Sequence, residues 1–202
     1  MENINHKKII FDLGAVIIDL KSESDWWKED LFPNFNQEQL EKLFKEGFFH
    51  DFETGKISTA DFLKVMEDIK INSVIAVEKA WNGILKTIPK HRIDLLNCLK
   101  ENNQVYLLSN TNTIHTKTIH ESLEFDFGMN IFDTIFDIQF YSQLVGMRKP
   151  NTEIYEHVQQ TIGDSNSANF IFLDDKPENL IAPKKLGWQT ILVDRDISEL
   201  IA

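Results

Sequence analysis

Two adjacent acids, Asp174-Asp175, and a third, Asp12, each follow a short apolar run, and Lys149 lies between them along the chain. A carboxylate is a modest nucleophile, yet it attacks a phosphoryl group when the charge on the oxygens is neutralised and the attack geometry is held. Asp12 stands where Phe11 gives way to a Gly-containing loop, Asp12-Leu13-Gly14, which suits that role. An acid that merely caps a turn has the same local appearance. If the runs carrying Asp12 and Asp174-Asp175 are neighbours, three anions converge, which is strongly destabilising without a cation. A hard divalent ion resolves the conflict. Magnesium prefers oxygen ligands and keeps several waters, which leaves room for a phosphate oxygen.

Positioning these groups falls to five short apolar runs, residues 9–11, 105–108, 135–140, 170–173 and 190–193, read as strands buried on both faces. Helix-like segments separate the later runs, so the expected fold class is α/β, a parallel sheet with helices covering its faces. In such a sheet ligands bind outside the carboxyl ends of the strands. Asp12, Ser109, Asp174 and Asp175 all fall at such ends. Residues 22–88 behave differently, lacking strand-like runs and showing helical periodicity through 37–44, 59–69 and 74–85. They predict an inserted helical unit, with Ser58 capping one helix and Pro89 marking the return to the sheet.

Composition bounds the alternatives. The 202 residues suffice for one core plus a small accessory unit, and the 42% apolar and 26% charged fractions are those of an ordinary globular protein. A formal charge of −11 excludes the basic stripe used to neutralise a phosphate backbone, so no nucleic-acid partner is expected. The single cysteine, Cys98, excludes an internal disulfide and a thiolate metal cluster, and its place in a helix-like apolar pattern predicts a buried structural thiol. Residues 1–8 are polar and no stretch is long and apolar enough to cross a bilayer, which predicts a cytoplasmic protein with no membrane partner.

Four segments in order, Phe11-Asp12-Leu13-Gly14-Ala15-Val16, Leu108-Ser109-Asn110-Thr111-Asn112, Gly146-Met147-Arg148-Lys149-Pro150 and Phe172-Leu173-Asp174-Asp175, resemble the haloacid-dehalogenase superfamily. The likeness is to its phosphatase branch with a helical cap inserted after the first motif, and within it to small bacterial sugar-phosphate phosphatases. It covers nearly the whole core. The resemblance implies a Rossmann-like core over residues 1–21 and 89–202, a flap at 16–21 and a helical cap over 22–88. It implies magnesium held by Asp12, Asp175 and the Gly14 carbonyl, with Asp174 ligating or orienting waters. Ser109 and the Asn110 amide would hold the phosphate. Lys149 would hold a non-reacting phosphate oxygen and shield the nucleophile from the incoming anion's charge. Arg148 beside it reads equally well as a surface residue, and Asn179 as a support of the metal site or as a helix cap.

One departure stands out. Most phosphatases of this superfamily carry a second aspartate two residues after the nucleophile, as general acid and base, and here that residue is Gly14. Asp19, Asp51 and Glu53 are the candidates to replace it. The stretch Phe48-Phe49-His50-Asp51-Phe52-Glu53 suits a surface over the site, its acid and histidine fitting sugar hydroxyls and its aromatics fitting packing. Trp26-Trp27 reads as cap packing or a partner surface, and His115 and His120 as solvated helix residues.

The expected function is magnesium-dependent hydrolysis of a small phosphomonoester, a sugar phosphate by analogy, in a monomer or homodimer. A binding protein that has lost turnover with the missing aspartate ranks second. A haloacid dehalogenase ranks third, because an anionic substrate without a cation would be repelled by Asp174-Asp175.

Overall fold

The computed structural model describes residues 5–201; residues 1–4 and 202 lie outside it, and with them part of the polar amino-terminal stretch. Five parallel strands form one sheet in the order β3-β2-β1-β4-β5: β1 (Lys8–Phe11), β2 (Gln104–Ser109), β3 (Ile138–Tyr141), β4 (Phe170–Asp174) and β5 (Gln189–Leu192). β1 is central, pairing Phe11 with Leu107 on one side and Leu173 on the other. Its residues 9–11 and all of β4 are buried, the pattern of strands covered on both faces. One apolar cluster fills one side of the sheet around Ile9, Phe11 and Leu107, and another fills the opposite side around Ile10, Tyr155 and Phe172. The helices Lys90–Lys100 and Thr152–Ile162 each contribute an apolar stripe to these clusters.

Between β1 and Lys90 the described elements are helices, with a third cluster of their own built on Phe49, Phe52, Phe62 and Trp81. The helix Thr59–Asp68 starts as its sequence predicts: the Ser58 hydroxyl accepts a hydrogen bond from the Asp61 amide at 3.1 Å. The two chain passages linking this segment to the sheet are bridged antiparallel at Leu20 and Leu85. Arg92, almost fully buried, fixes the passage after β1: its guanidinium reaches Asp19 at 2.9 Å, the Ile17 carbonyl at 3.3 Å and Asp196 at 2.9 Å. The helical segment also touches the core at Gly55, where φ is +70° and a Cβ would collide with the Gln143 carbonyl oxygen.

Three expectations are corrected. The apolar run 135–140 splits into a helical turn, Phe132–Ile135, and β3; an apolar run that short does not distinguish a buried helix turn from a strand. Asp137 sits at the break, its carboxylate accepting from the Val105 amide at 2.8 Å. The 74–85 segment is α-helical only over Val77–Trp81 and tightens into a 3-10 turn, Asn82–Ile84, because Leu85 must enter its bridge with Leu20. Cys98 is exposed, since Ile93, Leu96 and Leu99 take the buried stripe of its helix and turn it outward. Among the described residues no helix is long and apolar enough to cross a membrane.

Candidate active site

The register of the sheet places the chemistry. Asp12 follows β1 directly and its amide donates to the Leu173 carbonyl at 2.9 Å, so Asp174, the next residue of β4, lies beside it. Carboxylate oxygens of Asp12, Asp174 and Asp175 all lie within 4.8 Å of one another. Lys149, 1% exposed, reaches in from the loop after β3 and donates to Asp12 Oδ1 at 2.6 Å and Asp174 Oδ2 at 2.7 Å.

One ammonium does not offset three clustered carboxylates. Burial pushes the Asp12 carboxyl up, Lys149 opposes, Asp174 and Asp175 add to the rise, and the net is about 7. Burial and Asp174 likewise raise Asp175. Burial disfavours the Lys149 ammonium, but Asp12 and Asp174 outweigh it and hold the lysine charged. The three acids are hard oxygen donors with uncompensated negative charge, which fits a magnesium ion.

The acids differ in how they are used. Asp174 is fully buried and its oxygens accept from Lys149, from the Asn179 side-chain amide at 2.9 Å on Oδ1 and 3.0 Å on Oδ2, and from the Lys176 amide at 2.8 Å. Asn179 therefore braces an acid and caps no helix; its own carbonyl accepts from Tyr155 at 2.7 Å. Asp175 faces a cavity of about 640 Å3 together with Gly14, Ser109 and Asn110. The Ser109 hydroxyl forms no hydrogen bond among the described residues and opens to that cavity beside a helix amino terminus, Thr113–Phe127, capped by Asn112. Such a terminus favours an anion.

Asn110 has a second part that its sequence position does not announce. Its side-chain carbonyl accepts from the Lys149 amide and its amide donates to the Lys149 carbonyl, both at 2.9 Å. Ser142, fully buried, does the same for the neighbouring loop, accepting from the Thr111 amide at 2.9 Å and donating to the Thr111 carbonyl at 3.1 Å.

At Gly14, a Cβ would stand 2.8 Å from Leu20 Cδ1, so an aliphatic side chain occupies the space an acid would need. Of the three candidate substitutes, only Glu53 lines the cavity, and it is held by Arg148 at 3.0 Å; Asp19 pairs with Arg92 and Asp51 with Lys56. Arg148 is thus no free surface residue.

The outer cavity wall comes from the helical segment. Trp26 and Trp27 are packing residues, as expected, and both also face the cavity beside Trp81. His115 is half-buried rather than free in solvent. It stacks on Trp81 at 5.7 Å, its Nδ1 meets the Asn112 side-chain amide at 3.1 Å, and its Nε2 meets the Trp81 carbonyl at 3.2 Å. A carbonyl only accepts, so Nε2 carries the proton and Nδ1 accepts. Burial lowers this histidine to about 4, against the Trp81 bond, and keeps it neutral. His120 meets the Tyr141 hydroxyl at 3.1 Å and lies off the cavity.

A lysine-braced acidic centre at the carboxyl ends of a parallel sheet defines a Rossmann-like α/β protein with its ligand site at the strand ends. The model of the haloacid dehalogenase-like hydrolases matches residues 7–187, and the chain belongs to that family. It is 30% identical to a D-ribitol-5-phosphate phosphatase of Bacteroides thetaiotaomicron, over 91% of this chain and 90% of that protein. It is 32% identical to a sesquiterpene phosphatase of Aspergillus oryzae, over 90% and 86% respectively. Among solved structures, a HAD family enzyme of Bacteroides thetaiotaomicron in complex with magnesium and inorganic phosphate superposes with a TM-score of 0.83 at 29% identity, over 98% of this chain and 100% of that one.

Proposed function

We propose that this protein is a magnesium-dependent phosphatase that hydrolyses small phosphomonoesters through an aspartyl-phosphate on Asp12. The observation that carries the reading is the Lys149 ammonium between Asp12 and Asp174, with Asp175 and the unpartnered Ser109 hydroxyl opening on the same cavity. Asp12, Asp175 and the Gly14 carbonyl would hold magnesium, Asp174 orienting its waters. When bound, magnesium supplies the positive charge that lets a dianionic phosphate approach an anionic nucleophile.

Asp12 attacks phosphorus; the Asp12 oxygen–phosphorus bond forms, the ester oxygen–phosphorus bond breaks, and the leaving oxygen takes a proton from water to depart as the alcohol. Water then attacks the aspartyl-phosphate, returning the carboxylate and releasing inorganic phosphate. Lys149 orients Asp12 and compensates charge on the transferring oxygens, while Ser109 and the Asn110 amide hold them. Residues 1–21 and 89–202 form the core in this reading, and 22–88 a cap that opens for substrate and closes to exclude water. The apolar cluster of the helical segment, to which the core adds Ile114, and the paired passages at Leu20 and Leu85 support that division.

Gly14 favours one alternative, a phosphate-ligand binding protein with very slow turnover. Phosphate release from a panel of phosphomonoesters, with magnesium or chelator, decides between them. Release that needs magnesium and disappears in Asp12→Asn is expected; no release from the native protein across the panel favours the binder.

A further inference from the structure

We propose that the leaving group is apolar: the substrate is a phosphomonoester of a hydrophobic alcohol, seated between the tryptophans of the helical segment and aliphatic residues of the core. The inference rests on the phosphatase reading and narrows it away from sugar phosphates.

The cavity has two chemically distinct ends. Gly14, Ser109, Asn110, Asp175 and Lys176 form the phosphate end. Beyond it the buried wall is Trp26, Phe49 and Trp81 on one side and Leu13, Ile18 and Ile119 on the other, each less than a tenth exposed. Phe44 and Trp27 continue the aromatic side outward. A volume of about 640 Å3 is that of a ligand pocket, with room well beyond a phosphate.

Most polar side chains along this wall are paired with one another; the Thr111 hydroxyl, among the described residues, is not. Glu53 pairs with Arg148, Lys21 with Asp30 and Glu29, and Ser22 with Asp25. Both ring nitrogens of His115 are satisfied. Two donors lack partners, Trp81 Nε1 and Arg148 Nε, but both are covered from the cavity as fully as from solvent. The side chains of His50 and Glu23 make no hydrogen bond among the described residues, and both residues are exposed.

A polyol seated against the tryptophans and the aliphatic residues would set hydroxyls on carbon, and each one left without a partner costs roughly tenfold to a hundredfold in affinity. A hydrocarbon would lose no hydrogen bonds and would gain about fourfold per methylene removed from water. The comparison decides for the hydrocarbon.

The test measures two series with the magnesium-loaded full chain: binding of n-alkylphosphonates from methyl to octyl by calorimetry, and hydrolysis of the matching n-alkyl phosphates against a pentitol 5-phosphate. Dissociation constants should fall two- to fourfold per added methylene until the cavity is filled. Trp27→Ala and Phe44→Ala should each flatten that slope, and pentyl phosphate should exceed the pentitol phosphate in kcat/KM. A flat phosphonate series, or a preference for the pentitol phosphate, overturns the proposal while leaving the phosphatase reading intact. A rising phosphonate series with no hydrolysis of any ester upholds the apolar site and overturns the phosphatase reading instead.

Discussion

The side-chain amide of Asn110 closes a two-bond ring on the backbone of Lys149, donating to its carbonyl and accepting from its amide, both at 2.9 Å. The ring ties the loop after β2 to the loop after β3, and so sets where the Lys149 ammonium reaches Asp12. Asn110→Ala removes both bonds and leaves two part-buried backbone groups without these partners. The expected cost is about 1–3 kcal/mol of stability, read from urea unfolding. Turnover should fall at least tenfold, since a displaced charge acts on a transition state sensitive to position. Unchanged kcat in a stably folded Asn110→Ala protein would show that Lys149 is held by its ion pairs alone.

Magnesium should stabilise the fold. A ligand bound only by the native state adds about 2.7 kcal/mol at roughly a hundredfold excess over its dissociation constant. Thermal unfolding with magnesium and with chelator should differ accordingly, and Asp175→Asn should shrink the difference. An identical midpoint in both conditions would remove the metal from the site.

At Gly14 the obstacle to a general acid is Leu20. Gly14→Asp alone forces Leu20 Cδ1 out of the way, because the new Cβ would lie 2.8 Å from it. Paired with Leu20→Ala, the aspartate has space. A positioned acid–base contributes on the order of a hundredfold to ten-thousandfold, so the double variant should gain at least tenfold in kcat and exceed Gly14→Asp. Steady-state phosphate release is the measurement, and no gain in either variant would mean that proton transfer does not limit turnover.

His115 makes stability depend on pH in a definite direction. Burial holds its ring at about 4 in the folded chain, against 6.5 when unfolded. Below 6.5 the unfolded chain takes a proton that the native ring refuses, so stability falls as pH drops from about 6.5 towards 4 and is unaffected by this group above that window. Asp12, held up at about 7, contributes in the opposite sense, so the native chain alone does not isolate the effect. Urea midpoints of the native protein and His115→Gln at about pH 7.5 and pH 5 do. The variant should lose less on acidification; an equal loss would refute the assignment.

The groups proposed to do chemistry were legible because each follows an apolar run. Asp12, Ser109, Asp174 and Asp175 stand at strand ends, and a parallel sheet gathers strand ends at one edge. The Ser58 cap was legible for the same kind of reason, a local hydrogen bond written into adjacent residues. Where a short apolar run had to serve as either helix or strand, as at 135–140, local pattern could not decide, and Asp137 bonding back to Val105 did.

By itself, then, the sequence determined the α/β class, the helical insertion and the acidic centre, since period and strand-end position are properties of neighbours along the chain. The tertiary structure alone decided that Asn110 clamps Lys149, that Asn179 braces Asp174, that Leu20 fills the space at Gly14 and that His115 stacks on Trp81. Apart from Asn179 and Leu20, which are close in the chain to Asp174 and Gly14, these contacts join loops and helices that are distant in sequence. Their residue types also serve equally well on a surface, and only packing assigns them a partner.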